Sequence, residues 1–239
     1  MQVTLPDISV WQQSTGKIIL PDPAPFNLSY EGPGALLLDA AGAVFSDPVQ
    51  ARIWRLAEEL KQRPGVLETV PGMNNLMAVF DPLAIDGEAL EEELAREWNA
   101  SGGSASEGRI WDVPVSYGGE NGPDLIDFSA KKGMTVDELI ARHTAPLYSV
   151  AAVGAMPGFV YLSGLDPALA MPRLANPRNG VPAGSIIIGG AQAGIMPVTA
   201  PSGWHILGRT DLVLFDPHRP RPAFFAPGDR IRFVAKGAA

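Results

Sequence analysis

Glycine and proline punctuate the second part of this chain so densely that long helices are excluded from it. The two residue types number 16 in the first 100 residues and 33 in the remaining 139. Each glycine loosens the backbone and each proline removes an N–H donor, so elements between them must be short. The apolar runs left over have strand length. They fall at Tyr148–Val153, Phe159–Leu162, Ser185–Gly189, Gly194–Val198, His205–Gly208, Leu212–Phe215 and Arg230–Val234. Many short strands joined by Gly/Pro turns predict a barrel or a sandwich. Two short helices precede them, one beginning at Pro123 and one signalled by Thr135 with Glu138 three residues on, the spacing of a capping box.

The first part reads differently. Residues 1–30 are broken by prolines, with a strand expected around Asp7–Gln12 and then a linker, PDPAPFN. From there the pattern becomes regular. Ala35–Asp39 reads as a buried strand. Asp47-Pro48 reads as an N-cap with proline at the first helical position, followed by Val49, Ile53, Leu56, Ala57 and Leu60 at helical spacing and Gly65 as the stop. Val66–Val70 and Asn75–Phe80 form two strands across PGMNN. Asp86 caps a second helix carrying Leu90, Leu94 and Trp98 on one face, and Ile110–Tyr117 is a further strand. The order β-α-β-β-α-β fits a ferredoxin-like split unit, with Ile110–Tyr117 either completing it or opening the next domain. Ser101–Gly108 (SGGSASEG) reads as a flexible joint.

Charge divides at the same place. Residues 1–100 carry 6 basic and 15 acidic side chains, net −9, and residues 101–239 carry 12 and 11, net +1. A chain of net charge −8 without a basic run is a poor partner for nucleic acid or an anionic membrane. The absence of cysteine removes disulfides, thiolate nucleophiles and Cys-ligated metals, and the three scattered histidines have no metal-ligand spacing. No signal-peptide pattern opens the chain and no segment reaches a membrane-spanning length, so a cytoplasmic location is expected.

Within His143–Thr210 the only acid is Asp166, against Arg173, Arg178, Arg209, His143 and His205. Such a stretch predicts a loop-built pocket of positive potential for a small or phosphate-bearing anion. Arg173 and Arg178, close together with no acid nearby in sequence, suit a bidentate clamp on carboxylate or phosphate, or else sit in a solvated loop. His143 is placed for a general base or phosphate contact, or to satisfy a helix C-terminus. Gly189-Gly190-Ala191-Gln192 either lets a ligand approach the backbone or makes a hairpin turn. Trp204 is a pocket wall or core. The spacing of Tyr117-Gly118-Gly119-Glu120-Asn121-Gly122-Pro123-Asp124 favours a glycine-dependent turn over an anion-binding loop. His205 is expected to point outward and His218 to be solvated. Ser202 lacks evident His and Asp partners, which argues against a serine hydrolase.

Taken together, Gly154-x-x-Pro157-Gly158-Phe159-x-Tyr161-Leu162, Pro172-Arg173, Pro177-Arg178, Val181-Pro182-Ala183-Gly184-Ser185, Gly203-Trp204 and Gly208-Arg209-Thr210 resemble the allophanate hydrolase subunit 1 family, the group with the B subunit of 5-oxoprolinase and the KipI-type inhibitor of a sporulation kinase. Tyr117-Gly118-Gly119, Gly122-Pro123-Asp124, His143-Thr144, Pro227-Gly228-Asp229, Val70-Pro71 and Asp81-Pro82 extend the resemblance to about residues 30–235. It implies an α+β chain: a small N-terminal ferredoxin-like α/β domain over 1–105, then a cyclophilin-like β-barrel of carboxyltransferase type over 106–239. It implies two partners, a C subunit of the KipA or allophanate hydrolase subunit 2 type and the A subunit of 5-oxoprolinase. With them the chain would act as the B subunit of a cyclic-amide hydrolase opening 5-oxo-L-proline to L-glutamate at the expense of ATP with Mg2+, bound either on this chain or at an interface between chains.

Phosphorylating the lactam carbonyl oxygen needs cationic and N–H donors around the transferred group. The expected catalytic residues are His143 and Arg178. Arg173, Gly189, Gly190, Gln192, Trp204 and Arg209 are expected to bind substrate or phosphate, with no metal held by side chains. A KipI-type regulatory binding protein and a carboxyltransferase-type chain acting on urea, allophanate or another amide are the alternatives. Three positions depart from the family pattern: Ala155 and Met196 where aromatics are usual, and Ser202 in place of the first glycine of a Gly-Gly pair.

Overall fold

In a computed structural model of the chain, the residues described are 17–19, 22–100, 104–106 and 108–236. The strand expected at Asp7–Gln12 lies outside them. The described residues divide into two compact units, one within 16–107 and one within 108–239.

The first unit contains β1 (Lys17–Ile19), β2 (Asn27–Tyr30), β3 (Ala35–Asp39), α1 (Asp47–Lys61), β4 (Val66–Pro71), β5 (Asn75–Phe80), α2 (Gly87–Asn99) and β6 (Ser104–Ser106). Ser46, one residue ahead of the expected cap, accepts the Val49 N–H and starts α1. Asp86 starts α2 by accepting from Glu88. Both helices lie on one face of an antiparallel sheet of order β2-β3-β5-β4. Alternation sends Leu36, Leu38, Leu76, Ala78 and Phe80 to the helices, where they meet Ile53, Leu56, Leu60, Leu90, Leu94 and Trp98. Arg52 is fully buried and donates to the carbonyls of Trp98 and Ala100, satisfying acceptors that the end of α2 leaves open.

This sheet departs from the expected unit in its fourth strand. Ile110–Tyr117 pairs in the barrel, and the edge beside β3 is taken by Asn27–Tyr30, which starts at the last residue of the expected linker and is not expected as a strand. A strand of four residues, only one of them half-buried and apolar, leaves almost no hydrophobic signature. The expected flexible joint also differs, because Ser104–Ser106 pairs with Lys17–Ile19. A backbone ladder needs no apolar side chains.

The second unit contains β7 (Ile110–Tyr117), α3 (Leu125–Lys132), α4 (Val136–Thr144), β8 (Tyr148–Val153), β9 (Val160–Ser163), β10 (Arg178–Val181), β11 (Ser185–Gly189), β12 (Gln192–Ile195), β13 (Ala200–Ser202), β14 (His205–Arg209) and β15 (Arg230–Ala235). Seven strands close a barrel in the order β11-β12-β9-β8-β15-β7-β14, with β15 and β7 its one parallel pair. Leu212–Phe215 is not a strand. It leads into a turn with Pro217, Pro220 and Pro222, which have no N–H to extend a ladder, and only Phe215 bridges, to Ala223.

The barrel interior holds Val113, Val115, Val150, Val160, Leu162, Ile186, Ile188, Ala193, Ile195, Leu207, Ile231 and Phe233, and α3 and α4 add Leu125, Phe128 and Leu139 to the same core. A second apolar cluster lies on the outer face. Ile187, Ile206, Phe159, Met196 and Trp204 pack there with Val181 and Ala200 of the β10–β13 ribbon. No helix of the described residues is long and apolar enough to cross a membrane.

Candidate functional site

Strand parity builds a platform on the outer face of the barrel. In β14, His205 and Leu207 turn inward, so Trp204 and Ile206 turn outward. In β12, Ala193 and Ile195 are interior, which leaves Gln192 and Gly194 outside, and in β9 Tyr161 lies between interior Val160 and Leu162. The Trp204 indole rests on the backbone of β11 and β12. A Cβ at Gly189 would stand 2.5 Å from Trp204 Cδ2, and one at Gly194 would stand 3.3 Å from Trp204 Cζ3. Glycine at 189 therefore makes room for the indole, not for a ligand. Phe159 and Tyr161 meet the ring edge-on, with centroids at 5.9 and 6.2 Å. Trp204 is thus 5% exposed and acts as core and wall together.

Arg173 lies over this indole with its guanidinium carbon 5.4 Å from the ring centroid. A stacked arginine gains about 0.5–1 kcal/mol at an exposed site and loses freedom it would otherwise spend on binding. Arg173 is exposed, and its side chain has no hydrogen bond or ion pair among the described residues. Its segment is pinned beneath it: Leu174 N–H donates to Gly203 O at 2.7 Å, and Met171 exchanges backbone hydrogen bonds with Gly190, which has positive φ. The side chains of Gln192 and Tyr161, half-buried on the same face, likewise have no hydrogen-bond partner among the described residues. The structure therefore brings together Arg173, Gly189, Gly190, Gln192 and Trp204, and adds Tyr161. Its parity between Val160 and Leu162 would have placed it outward from sequence alone.

Arg178 is differently placed. Nη1 and Nη2 both donate to the Asp124 carboxylate, at 2.9 and 2.5 Å. The acid-free surroundings read from sequence fail here because the partner is 54 residues away. The other acid of the region, Asp166, is paired too. The backbone N–H of Ala168 and the Arg142 guanidinium hold its carboxyl below the usual range.

His143 closes α4 and is fully buried. Its ring stacks on Phe233 at 4.7 Å, Nδ1 is 2.7 Å from Tyr117 Oη, and Tyr148 Oη donates to its carbonyl. Burial pushes the imidazole pKa down to about 3. Burial also raises Tyr117, so its hydroxyl stays protonated and shares with Nδ1 a hydrogen bond whose direction the imidazole tautomer sets. Nε2 has no partner and no exposure. In this structure His143 anchors the helical cap of the barrel and does not reach solvent.

Arg209 ends β14 four residues beyond His205, about 13 Å along the strand. It pairs with Ser185 and Ser116, while His205 pairs with Ile188, next to Gly189, so Arg209 sits at the far end of β11 from the platform. Its Nε donates to Ala183 O. His205 points inward, contrary to expectation, with Nε2 2.9 Å from Pro172 O and its ring edge-on to Phe128. Ser202 Oγ accepts the Trp204 N–H. The Tyr117–Asp124 loop is built by close backbone packing: a Cβ at Gly122 would overlap the Leu207 carbonyl, and Gly118 and Gly119 have positive φ. Of the departures from the family pattern, Met196 is buried against Phe159 and Trp204, whereas Ala155 is exposed with φ 65°.

Comparison with known proteins agrees with this architecture. The model for the carboxyltransferase domain, subdomain C and D, matches residues 26–225. The chain is 44% identical over 186 residues to the B subunit of 5-oxoprolinase from Escherichia coli O157:H7, covering 77% of this chain and 85% of that one. The protein of the same name from Haemophilus influenzae is 40% identical over 188 residues, covering 79% and 88%. Among solved structures, TTHA0988 superposes with a TM-score of 0.74 at 33% identity over 86% of this chain, which spans 40% of that longer protein. The Kluyveromyces lactis urea amidolyase matches at 0.71 and 18% identity, over 91% of this chain and 15% of the other, a likeness of fold alone. Matched across its first unit and most of its barrel, this chain belongs to the family of the 5-oxoprolinase B subunit, with a carboxyltransferase domain of subdomain C and D type.

Proposed function

We propose that the chain is the B subunit of an ATP-dependent 5-oxoprolinase, active together with the C and A subunits of that enzyme in opening 5-oxo-L-proline to L-glutamate. The observation that carries this reading is the 44% identity to the Escherichia coli protein of that name over 85% of its length. The platform supports it. A small planar lactam bearing one carboxylate needs a flat apolar wall, one cation and a few hydrogen-bonding groups. Tyr161, Arg173 and Gln192 offer these in one place, on a base formed by the buried Trp204 indole. Arg173 would hold the carboxylate through its free N–H fork. Gln192 would orient the ring amide, and Tyr161 would limit water at its face.

A nucleotide polyphosphate does not fit this cluster. Arg173 is its one uncommitted cation among the described residues, Arg178 is neutralised by Asp124, and in the glycine loop at 118–122 the N–H groups of Gly118 and Gly122 are spent on Leu207 and Gly118. Among the described residues no three His, Asp or Glu side chains converge to hold a metal ion. In this proposal ATP and Mg2+ are bound where the partner chains contribute the charge, and His143 serves the barrel cap.

The test is turnover by this chain co-purified with its cognate C subunit, in the presence of the A subunit. ADP release that depends on 5-oxoproline and is matched by glutamate formation is the expected result. A complex that assembles and gives no 5-oxoproline-dependent ADP overturns the reading.

A further inference from the structure

Outside the platform, one polar group ties more of the surrounding chain together than any role in ligand binding would require. Asp124 precedes α3 with its side chain 13% exposed. Oδ1 accepts from Arg178 Nη2, while Oδ2 accepts both Arg178 Nη1 at 2.9 Å and the Ile206 N–H at 2.7 Å. Its own N–H donates back to Ile206 O at 3.2 Å, so residues 124 and 206 are joined in both directions. Arg178 is the first residue of β10 and pairs across the ribbon with Ser202, whose Oγ receives the Trp204 N–H. Gly203, between those two, accepts from Leu174, the neighbour of Arg173. A short path of hydrogen bonds thus runs from the Asp124 carboxylate to both members of the Arg173–Trp204 stack.

We infer that Asp124 is a positioning residue for the platform: it fixes the β10–β13 ribbon and the start of β14, and Arg178 acts through it and not on the ligand. Charge and desolvation support this. For Arg178 to clamp an incoming anion it would have to leave a bidentate carboxylate. That carboxylate would remain mostly buried with only the Ile206 N–H as donor, an unfavourable exchange of one charged pair for another. The fork geometry matters as well, because a lysine at 178 supplies a point charge and cannot span both carboxylate oxygens.

The kinetic arm of the test rests on the amide-hydrolase reading, and the exchange arm does not. By amide hydrogen exchange, Asp124→Asn, which still offers a carbonyl to Ile206, should speed exchange at Leu174, Trp204 and Ile206 by about tenfold, while Ile187 and Ile195 in the barrel stay protected. Arg178→Ala, a change on the more exposed side of the pair, should give the same pattern. Unchanged rates in both variants overturn the inference. In the assembled enzyme, Asp124→Asn and Arg178→Ala should each raise KM about tenfold with kcat within about twofold, the double variant should be no worse than either single, and Arg178→Lys should not rescue. An Arg178→Ala enzyme that loses kcat by orders of magnitude beside a near-normal Asp124→Asn enzyme would show that Arg178 touches the reacting groups, and the inference would fall. If the wild-type complex shows no turnover, the functional reading fails while the exchange measurement still decides the role of Asp124.

Discussion

At neutral pH the His143 imidazole is uncharged, because burial holds its pKa near 3 against an ordinary value of 6.5. The unfolded chain therefore binds a proton at this residue between about pH 6.5 and pH 3 that the folded chain does not. Folding is favoured fully above 6.5, and stability falls as pH drops through that window, by up to about 1.4 kcal/mol per pH unit. His143→Gln should flatten the wild-type slope of unfolding free energy between pH 6 and 4, whatever it costs at pH 7. Parallel slopes from urea titrations would show that the buried ring is not the source. Gly189→Ala should cost about 1–3 kcal/mol, because its Cβ meets the indole 2.5 Å away and Trp204 must leave the barrel face. Thermal unfolding reads the cost, and a neutral Gly189→Ala would mean that the indole does not rest where the structure puts it. Both residues were visible in the sequence as candidates, but their roles were not. A histidine at the end of a helix carries the same letters whether it faces water or a core. Arg178 misled for a related reason: its neighbours in sequence lack acids, and its partner in space does not.

Helix ends and strongly apolar strands were legible because their signals are local. Thr135 accepts the Glu138 N–H at 3.1 Å, as the capping-box spacing predicts, and Ser185–Gly189 forms with the predicted bounds. Thr135→Ala should destabilise the barrel unit by about 1 kcal/mol. Since α4 carries His143 and Leu139 into the barrel core, the loss should appear in global unfolding and not only as fraying of the helix. Near-UV and far-UV transitions that separate in the variant would contradict that. The elements that escaped prediction are those whose pairing supplies the signal: β2 at a sheet edge, the β10–β13 ribbon, and the three-residue pair β1–β6. Ala155 is a further local cost, a non-glycine residue at φ 65° in the β8–β9 loop. Ala155→Gly should raise stability by about 0.5–1 kcal/mol, the reverse of the usual sign for that exchange. A drop on differential scanning calorimetry would show that the turn is not strained.

At the scale of the molecule, the charge division and the rise of glycine and proline after residue 100 predicted two differently built parts, and the resemblance over residues 30–235 indicated the family to which the chain belongs. Closure of the barrel was beyond either signal, since it depends on Ile110–Tyr117 lying beside Arg230–Ala235 from the other end of the unit. The grouping of site residues was beyond them for the same reason. One stretch of sequence delivers Arg173, Gln192 and Trp204 to one face and Arg209 to the opposite end of the same strands. The most direct measurement on this account is kcat/KM for 5-oxoproline in the assembled enzyme with Arg173→Gln and, separately, Arg209→Gln. Loss of about 10- to 100-fold at Arg173, with Arg209 within about twofold of wild type, is predicted from a charged hydrogen bond broken at one site and none at the other. An Arg209 defect beside a near-normal Arg173 enzyme would place the ligand elsewhere on the barrel and contradict the platform.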